Sequence, residues 1–330
     1  MVRSARSPVP PKRFLRLAAT SLGTLYVVVT SGAFVRLTAS GLGCDNWPRC
    51  GDKPYPEQGF HAFVEFGNRL VALIGILLAL VVWLAARRVD GLPRWVRRTA
   101  LAAFLGTVAQ IPLGGVTVIL ELHPLAVMAH FLLALVVVWL ATIVTLEAWS
   151  HARGRGEPVG PRWWRRVAAT AIPVCLALVV TGAVATASGP HSGGDDIRRL
   201  GVPVTDAVWV HVRATAVYGV ALVLVGTWLA LHRRQAPGLV RLGIALLAVL
   251  GAQMLVGEVQ YRNALPWGLV LAHVFLSATI WTLTVAIVHA LWRPPLPLLG
   301  PSPETSRASR LRAWRPSSAS PSAPRSPGPS

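Results

Sequence analysis

The chain has 330 residues, 53% of them hydrophobic and only 14% charged, with a formal net charge of +19. A soluble domain of this size holds about 25% charged residues, so a water-soluble globular fold is excluded. The basic residues cluster in alternate polar segments between apolar runs, so they mark membrane topology and not a nucleic-acid partner.

Apolar runs near the length a helix needs to cross a bilayer recur at roughly 16–36, 63–85, 98–119, 124–147, 167–187, 206–231, 240–259 and 267–291. The predicted architecture is an all-α membrane protein: eight transmembrane helices forming two tandem four-helix bundles, related by a pseudo-twofold repeat. Residues 1–15 read as a basic lead-in without the cleavage pattern of a signal peptide. Residues 16–150 form the first half, 151–166 a linker and 167–292 the second half. Residues 293–330, rich in Pro, Ser and Arg, are expected to be a disordered tail. The lead-in to Arg16, the loops 86–98, 151–166 and 232–241, and the tail hold 24 of the 32 lysines and arginines. Such an excess marks the cytoplasmic side. Both termini are therefore expected in the cytoplasm of a multi-pass plasma-membrane protein.

The first span runs into the outer segment FVRLTASGLGCDNWPRCGDKPYP, with Cys44 and Cys50 spaced C-x5-C. Thiols on the oxidising face tend to pair, and a metal site needs more ligands than this loop offers. Cys175, inside the fifth span, reads as a small core residue. The second span opens with HAFVEFGNRL, which places Glu65, Asn68 and Arg69 where the chain enters lipid. Glu65 and Arg69 are one turn apart and suit an i,i+4 ion pair. A desolvated carboxylate at that depth also suits proton transfer or the stabilising of positive charge.

The two halves resemble each other. LGTVAQIPLGGVTV (105–118) matches LLAVLGAQMLVGEVQY (246–261), and AVMAHFLLA (126–134) matches LVLAHVFLSA (269–278), both with an offset of 143 residues. VVTSGAFVRLTASG (28–41) matches LVVTGAVATASG (178–189) more loosely, offset by about 150. The offset of 143 carries His130 onto His273 and Asn68 onto His211. Position 68 is thus the first-half copy of a position that holds histidine in the second half.

His130, His211 and His273 each lie one to two turns inside the outer end of a span. A polar residue at that depth usually faces the bundle interior. Each reads either as a hydrogen-bonded core histidine or as a ligand. Two at matching depth on the second and fourth spans of one half suit bis-axial haem ligation. Zinc lacks the further ligands it needs. The absence of C-x-x-C-H excludes covalent haem c. The other six histidines read as surface or interface residues, with His61, two turns before Asn68, the one alternative ligand on that face.

VRLTASGLGCDNWPRCG, followed by VEFGNRL and AHFLLA, resembles haem A synthase, and the resemblance covers about residues 16–291. It implies oxidation of the C8 methyl of haem O to the formyl of haem A for cytochrome oxidase assembly, through two successive hydroxylations and loss of water. It implies a bound haem B between His211 and His273, and a substrate haem O beside His130 in the first half. It implies a catalytic role for Glu65, and it matches Cys44 and Cys50 to an outer cysteine pair. The chain departs from the family at Asn68, where many members have a second first-half histidine. Arg36, Arg69 and Arg213, near the outer ends of helices, are candidate haem-propionate contacts or merely snorkel. The implied partners are the bilayer, haem O, the haem O synthase that makes it, and an electron acceptor or donor that the residues do not identify.

Two other functions fit parts of the pattern. A di-haem electron-transfer protein of the quinol-oxidising kind predicts two bis-histidine sites, which Asn68 disfavours. A repeat-built transporter predicts helices broken at midplane; Gly114, Gly115 and Pro173 hint at that, but no charged midplane cluster accompanies them.

Overall fold

A computed structural model of the chain describes residues 8–44, 47, 49–52, 55–56, 59–191 and 197–300. The helices are α1 (Pro11–Leu37), α2 (Phe60–Ala86), α3 (Arg94–Ile119), α4 (Pro124–Arg153), α5 (Arg162–Ala169), α6 (Ala171–Ser188), α7 (Val204–Leu231), α8 (Pro237–Arg262) and α9 (Trp267–Trp292). A 3-10 turn, Leu296–Leu298, follows them. Eight segments are long and apolar enough to cross a membrane, with α5 and α6 counting as one, Arg162–Ser188. No β-strand occurs among the described residues.

Proline sets most of the boundaries. Pro11, Pro124 and Pro237 open α1, α4 and α8, where a missing N–H leaves no helical bond unmade. Pro93, Pro161, Pro203 and Pro266 stand one residue before α3, α5, α7 and α9. Pro173 offers no N–H to the carbonyl of Ala169, so the fifth span steps at Thr170 and divides into α5 and α6.

The helices overrun the apolar stretches. α4 continues to Arg153 and α5 begins at Arg162, because arginine is a good helix former and hydropathy marks the lipid crossing, not the hydrogen-bond ladder. The linker expected over 151–166 is therefore only 154–161. The tail expected to be disordered from 293 is folded as far as Gly300: Leu298 is buried, and Gly300 N–H donates to Gln235 O at 3.1 Å. Its remainder, 301–330, lies outside the described residues, as do residues 1–7 of the lead-in.

Within the first half α1 packs on α2, α2 on α3, α3 on α4, and α4 back on α1. The second half repeats this circuit with α6, α7, α8 and α9. The outer turns repeat as well. Glu121 and Leu122 have positive φ (49° and 57°), and so do Ala264 and Leu265 (58° and 59°), 143 residues on. In both turns the second residue's N–H reaches back five residues, Leu122 to Thr117 O at 2.8 Å and Leu265 to Gln260 O at 2.7 Å. These equivalences support the expected duplication.

The halves meet through α1 and α4 on one side and α6 and α9 on the other. Tyr26 Oη donates to Ala278 O at 3.2 Å, and Trp281 Nε1 to Leu135 O at 2.9 Å. Around them lies the larger apolar core, which includes Leu25, Val138, Tyr218, Leu246 and Ile287. The described ends of the chain lie at one end of the bundle, since Val9 N–H donates to Arg88 O and Leu298 packs on Gly238. The Cys44–Cys50 loop lies at the other, which we call the disulfide end.

Candidate functional site

Positions 68, 130, 211 and 273 lie in the first turns of α2, α4, α7 and α9, the second and fourth spans of each half. Each faces a glycine on the preceding span. A Cβ on Gly182 would lie 2.9 Å from His211 Cε1, one on Gly257 3.1 Å from His273 Cε1, and one on Gly114 3.4 Å from His130 Cε1. A Cβ on Gly32 would lie 4.0 Å from Asn68 Oδ1. In the second half a Cβ at Gly182 or Gly257 would crowd the imidazole, so glycine lets both rings lie against the neighbouring backbone; at Gly114 and Gly32 a Cβ would make only ordinary contact.

The second half brings its two histidines together. The His211 and His273 ring centroids are 6.4 Å apart. Two imidazoles on one metal, each bonded at about 2 Å, need centroids roughly that far apart. Thr181 sets one of them. Its hydroxyl donates to Leu178 O at 2.8 Å and contacts His211 Nδ1 at 3.1 Å. With its proton already given, Thr181 accepts from Nδ1–H, which leaves the Nε2 lone pair for a ligand. His273 Nδ1 is buried without a hydrogen-bond partner, and so is Oε1 of Gln253 one turn before Gly257. His130 Nδ1 and Gln110 Oε1 repeat that pair of orphans in the first half, where Gln110 Nε2 donates to His130 O at 3.3 Å. Buried polar atoms left unpaired are costly. Nε2 of His130, His211 and His273 makes no hydrogen bond to the described residues, which leaves it for the iron of a porphyrin. No cluster of three or more His, Cys, Asp or Glu suited to a metal ion occurs among the described residues.

Asn68 is held as its copy is, by a hydroxyl from the preceding helix: Ser31 Oγ lies 2.7 Å from Asn68 Oδ1. His61, the alternative ligand, lies exposed at the start of α2, with Nδ1 2.9 Å from Ser40 Oγ. It is bound into the outer loop, and nothing brings it to the level of Asn68.

Cys44 and Cys50 form the expected disulfide. Glu65 anchors that loop. Its buried carboxylate accepts from Cys44 N–H at 2.9 Å through Oε2 and from Arg69 Nη2 at 2.5 Å through Oε1. Arg69 Nη1 donates to Arg49 O at 2.7 Å. The ion pair weighed for Glu65 and Arg69 therefore exists, and Arg69 serves the loop. Trp47 of the same loop sits 3.0 Å from where a Cβ on Gly115 would be.

The other two arginines go elsewhere. Arg36 crosses the seam between halves, with Nη2 donating to Thr186 O at 2.8 Å, while its Nε is buried without a partner. Arg213 is exposed and lies 3.0 Å over the ring of Trp209 on its own helix. It stands roughly 200° around α7 from His211, so the structure does not bring these two together.

The residues that sequence reasoning missed are the partners: Ser31, Thr181, Gln110, Gln253 and the four glycines. The matched "TSG" and "VTG" of the repeat carried the signal for Ser31 and Thr181. Also missed was a buried carboxylate at the opposite end. Glu147 accepts from Arg293 Nε at 2.8 Å, pairs with His289 Nε2 at 2.9 Å and bonds Arg155. His289, read as an interface residue, belongs to this cluster.

Residues 15–190 match the family model COX15-CtaA, described as cytochrome oxidase assembly protein. The haem A synthase of Symbiobacterium thermophilum is 30% identical over 306 residues, covering 83% of this chain and 98% of that protein. The haem A synthase of Geobacillus kaustophilus is 31% identical over 110 residues, 32% of this chain and 33% of that one. A protoheme IX farnesyltransferase of Thermus thermophilus is 28% identical over 295 residues, 82% of this chain but 47% of its own length. A family model that spans over half of the sequence and a relative of nearly the same extent agree, and the chain belongs to the cytochrome oxidase assembly family of haem A synthases.

Proposed function

We propose that this membrane enzyme oxidises the C8 methyl group of haem O to the formyl group of haem A, with the substrate in the first half and a resident haem B in the second. The observation that carries the division of labour is the His211–His273 pair, 6.4 Å apart between ring centroids, against Asn68 and His130 at the matching places. His211 and His273 would hold haem B, and His130 would hold the substrate iron. Haem B, when bound, supplies one-electron redox chemistry.

The protein's own contribution is orientation and proton handling. Thr181 keeps the proton of His211 on Nδ1, so that Nε2 faces the iron. Oxidation of a methyl carbon releases protons, and Glu65 is the buried carboxylate of the disulfide end among the described residues. Glu65 accepts them in this reading, from its place beside Arg69. The arginines that remain candidates for haem propionates are Arg36 and Arg69. Arg36 holds a buried Nε with no protein partner.

The eight spans and the side on which the basic loops lie support a plasma-membrane location with both termini in the cytoplasm. The Thermus farnesyltransferase carries a segment similar to most of this chain within a protein about twice as long. That supports a working partnership with the enzyme that farnesylates haem, so that haem O passes directly between them.

The test is expression in a host that makes haem O but no haem A, followed by extraction of the pigments. Haem A should appear with the native chain and be lost with His130→Ala. Haem B alone in the native sample would overturn the proposal.

A further inference from the structure

We infer that Asn68 is not an iron ligand but a hydrogen-bond donor facing an open side of the substrate haem, set in that role by Ser31. The inference rests on the reading of the first half as the substrate site.

The frame around position 68 repeats the frame around His211. Gly32 and Gly182 occupy the same place on α1 and α6, and Ser31 and Thr181 precede them. The hydroxyl at each site reaches the side chain at 68 or 211, at 2.7 Å and 3.1 Å. Each hydroxyl also lies near the carbonyl three residues back, Val28 O at 3.1 Å for Ser31 and Leu178 O at 2.8 Å for Thr181. A hydroxyl has one proton, and the nearer acceptor takes it. At Thr181 that acceptor is the backbone, so the hydroxyl receives from His211 and the far nitrogen keeps its lone pair. At Ser31 it is Asn68 Oδ1, so the serine donates to the amide.

The consequence is chemical. The carbonyl oxygen is the one atom of an asparagine side chain able to ligate iron, and Ser31 holds it against α1. What remains is the amide nitrogen, which donates and carries no lone pair for a metal. It makes no hydrogen bond to the described residues. The amide is also shorter than an imidazole from the same backbone position. His61, the other imidazole on this face of α2, lies roughly 10 Å further along the helix and is engaged by Ser40. An iron held by His130 would therefore meet an N–H, and no second protein ligand, at position 68. One held between His211 and His273 would have a histidine on each side.

The experiment uses the full-length protein with haem B in place and haem O added, read by electron paramagnetic resonance and by carbon monoxide binding after reduction. One low-spin and one high-spin haem are expected, and one carbon monoxide per chain. Asn68→Leu should keep the high-spin signal and raise the bound C–O stretching frequency, because the donor is gone. Asn68→His should turn the second signal low-spin and abolish carbon monoxide binding. Two low-spin haems in the native protein would overturn the role given to Asn68 alone, as would an unchanged C–O stretch in Asn68→Leu. Failure of haem O to bind, or a second-haem spectrum unaltered by His130→Ala, would overturn the placing of the substrate in the first half and this inference with it.

Discussion

Glu65 has two tasks that substitution can separate. It receives the Cys44 N–H and Arg69, and in the proposed reaction it takes up protons. Gln keeps an acceptor for Cys44 but not the charge. Glu65→Gln is expected to retain haem B and the disulfide loop while conversion of haem O falls at least tenfold. Glu65→Ala should in addition loosen the loop, since a hydrogen bond to a charged group contributes about 1.5–3 kcal/mol. Faster reduction of Cys44–Cys50 by dithiothreitol would report that. Wild-type conversion by the Gln variant would leave Glu65 as an anchor only. Thr181 is tested on haem B itself. Thr181→Val removes the acceptor for His211 Nδ1–H, and loss of such an outer-shell partner typically weakens metal binding about 10–100-fold. Haem B titration of the variant against the native protein measures it, and equal affinities would sink the tautomer argument.

At the scale of elements, the eight spans and the depth of His130, His211 and His273 were legible, because a polar residue inside an apolar run stands out. The disulfide was legible from its side of the membrane. The cradles were not: a glycine in a membrane helix carries no sign of which face it turns to a neighbour. The folding of residues 293–300 was hidden for another reason. Its order comes from distant partners, with Leu298 against Gly238 and Arg293 on Glu147, and composition sees neither. The outer turns show the same override of local preference. Leu122 holds φ at 57°, where a side chain costs about 1–2 kcal/mol, yet it plugs the space beside Gly41, whose added Cβ would meet it at 2.6 Å. Ala264 has the same backbone and is exposed, so nothing offsets its strain. Ala264→Gly should stabilise the protein by up to about 1 kcal/mol after the entropy of glycine is subtracted. A lower thermal midpoint in detergent would contradict this.

For the whole molecule, an ionic clamp at one end stands opposite the paired histidines His211 and His273 near the other. Glu147 on α4 is fully buried and gathers Arg155 from the linker, His289 from α9 and Arg293 from the segment after it. Arg293 also lies 4.9 Å over the ring of Trp95 on α3. Removing one partner of a buried ionic cluster strands the others, at a cost of about 3–5 kcal/mol. Glu147→Ala should lower the unfolding free energy by about that much, seen as a lower unfolding midpoint. The low-spin haem B spectrum of the molecules that remain folded should not change, because His211 and His273 lie at the opposite end. A variant of native stability would show that the cluster is dispensable.

The paired hydroxyls of Ser31 and Thr181 have a consequence in heredity. Both halves keep a glycine and a hydroxyl here, and the side chain that the hydroxyl holds is Asn68 in one and His211 in the other. Codons for asparagine and histidine differ by a single base. On the proposed reading of the two halves, a pocket closed by a second histidine and one left open at this position stand one point mutation apart, and neither half has to rebuild its frame to exchange roles.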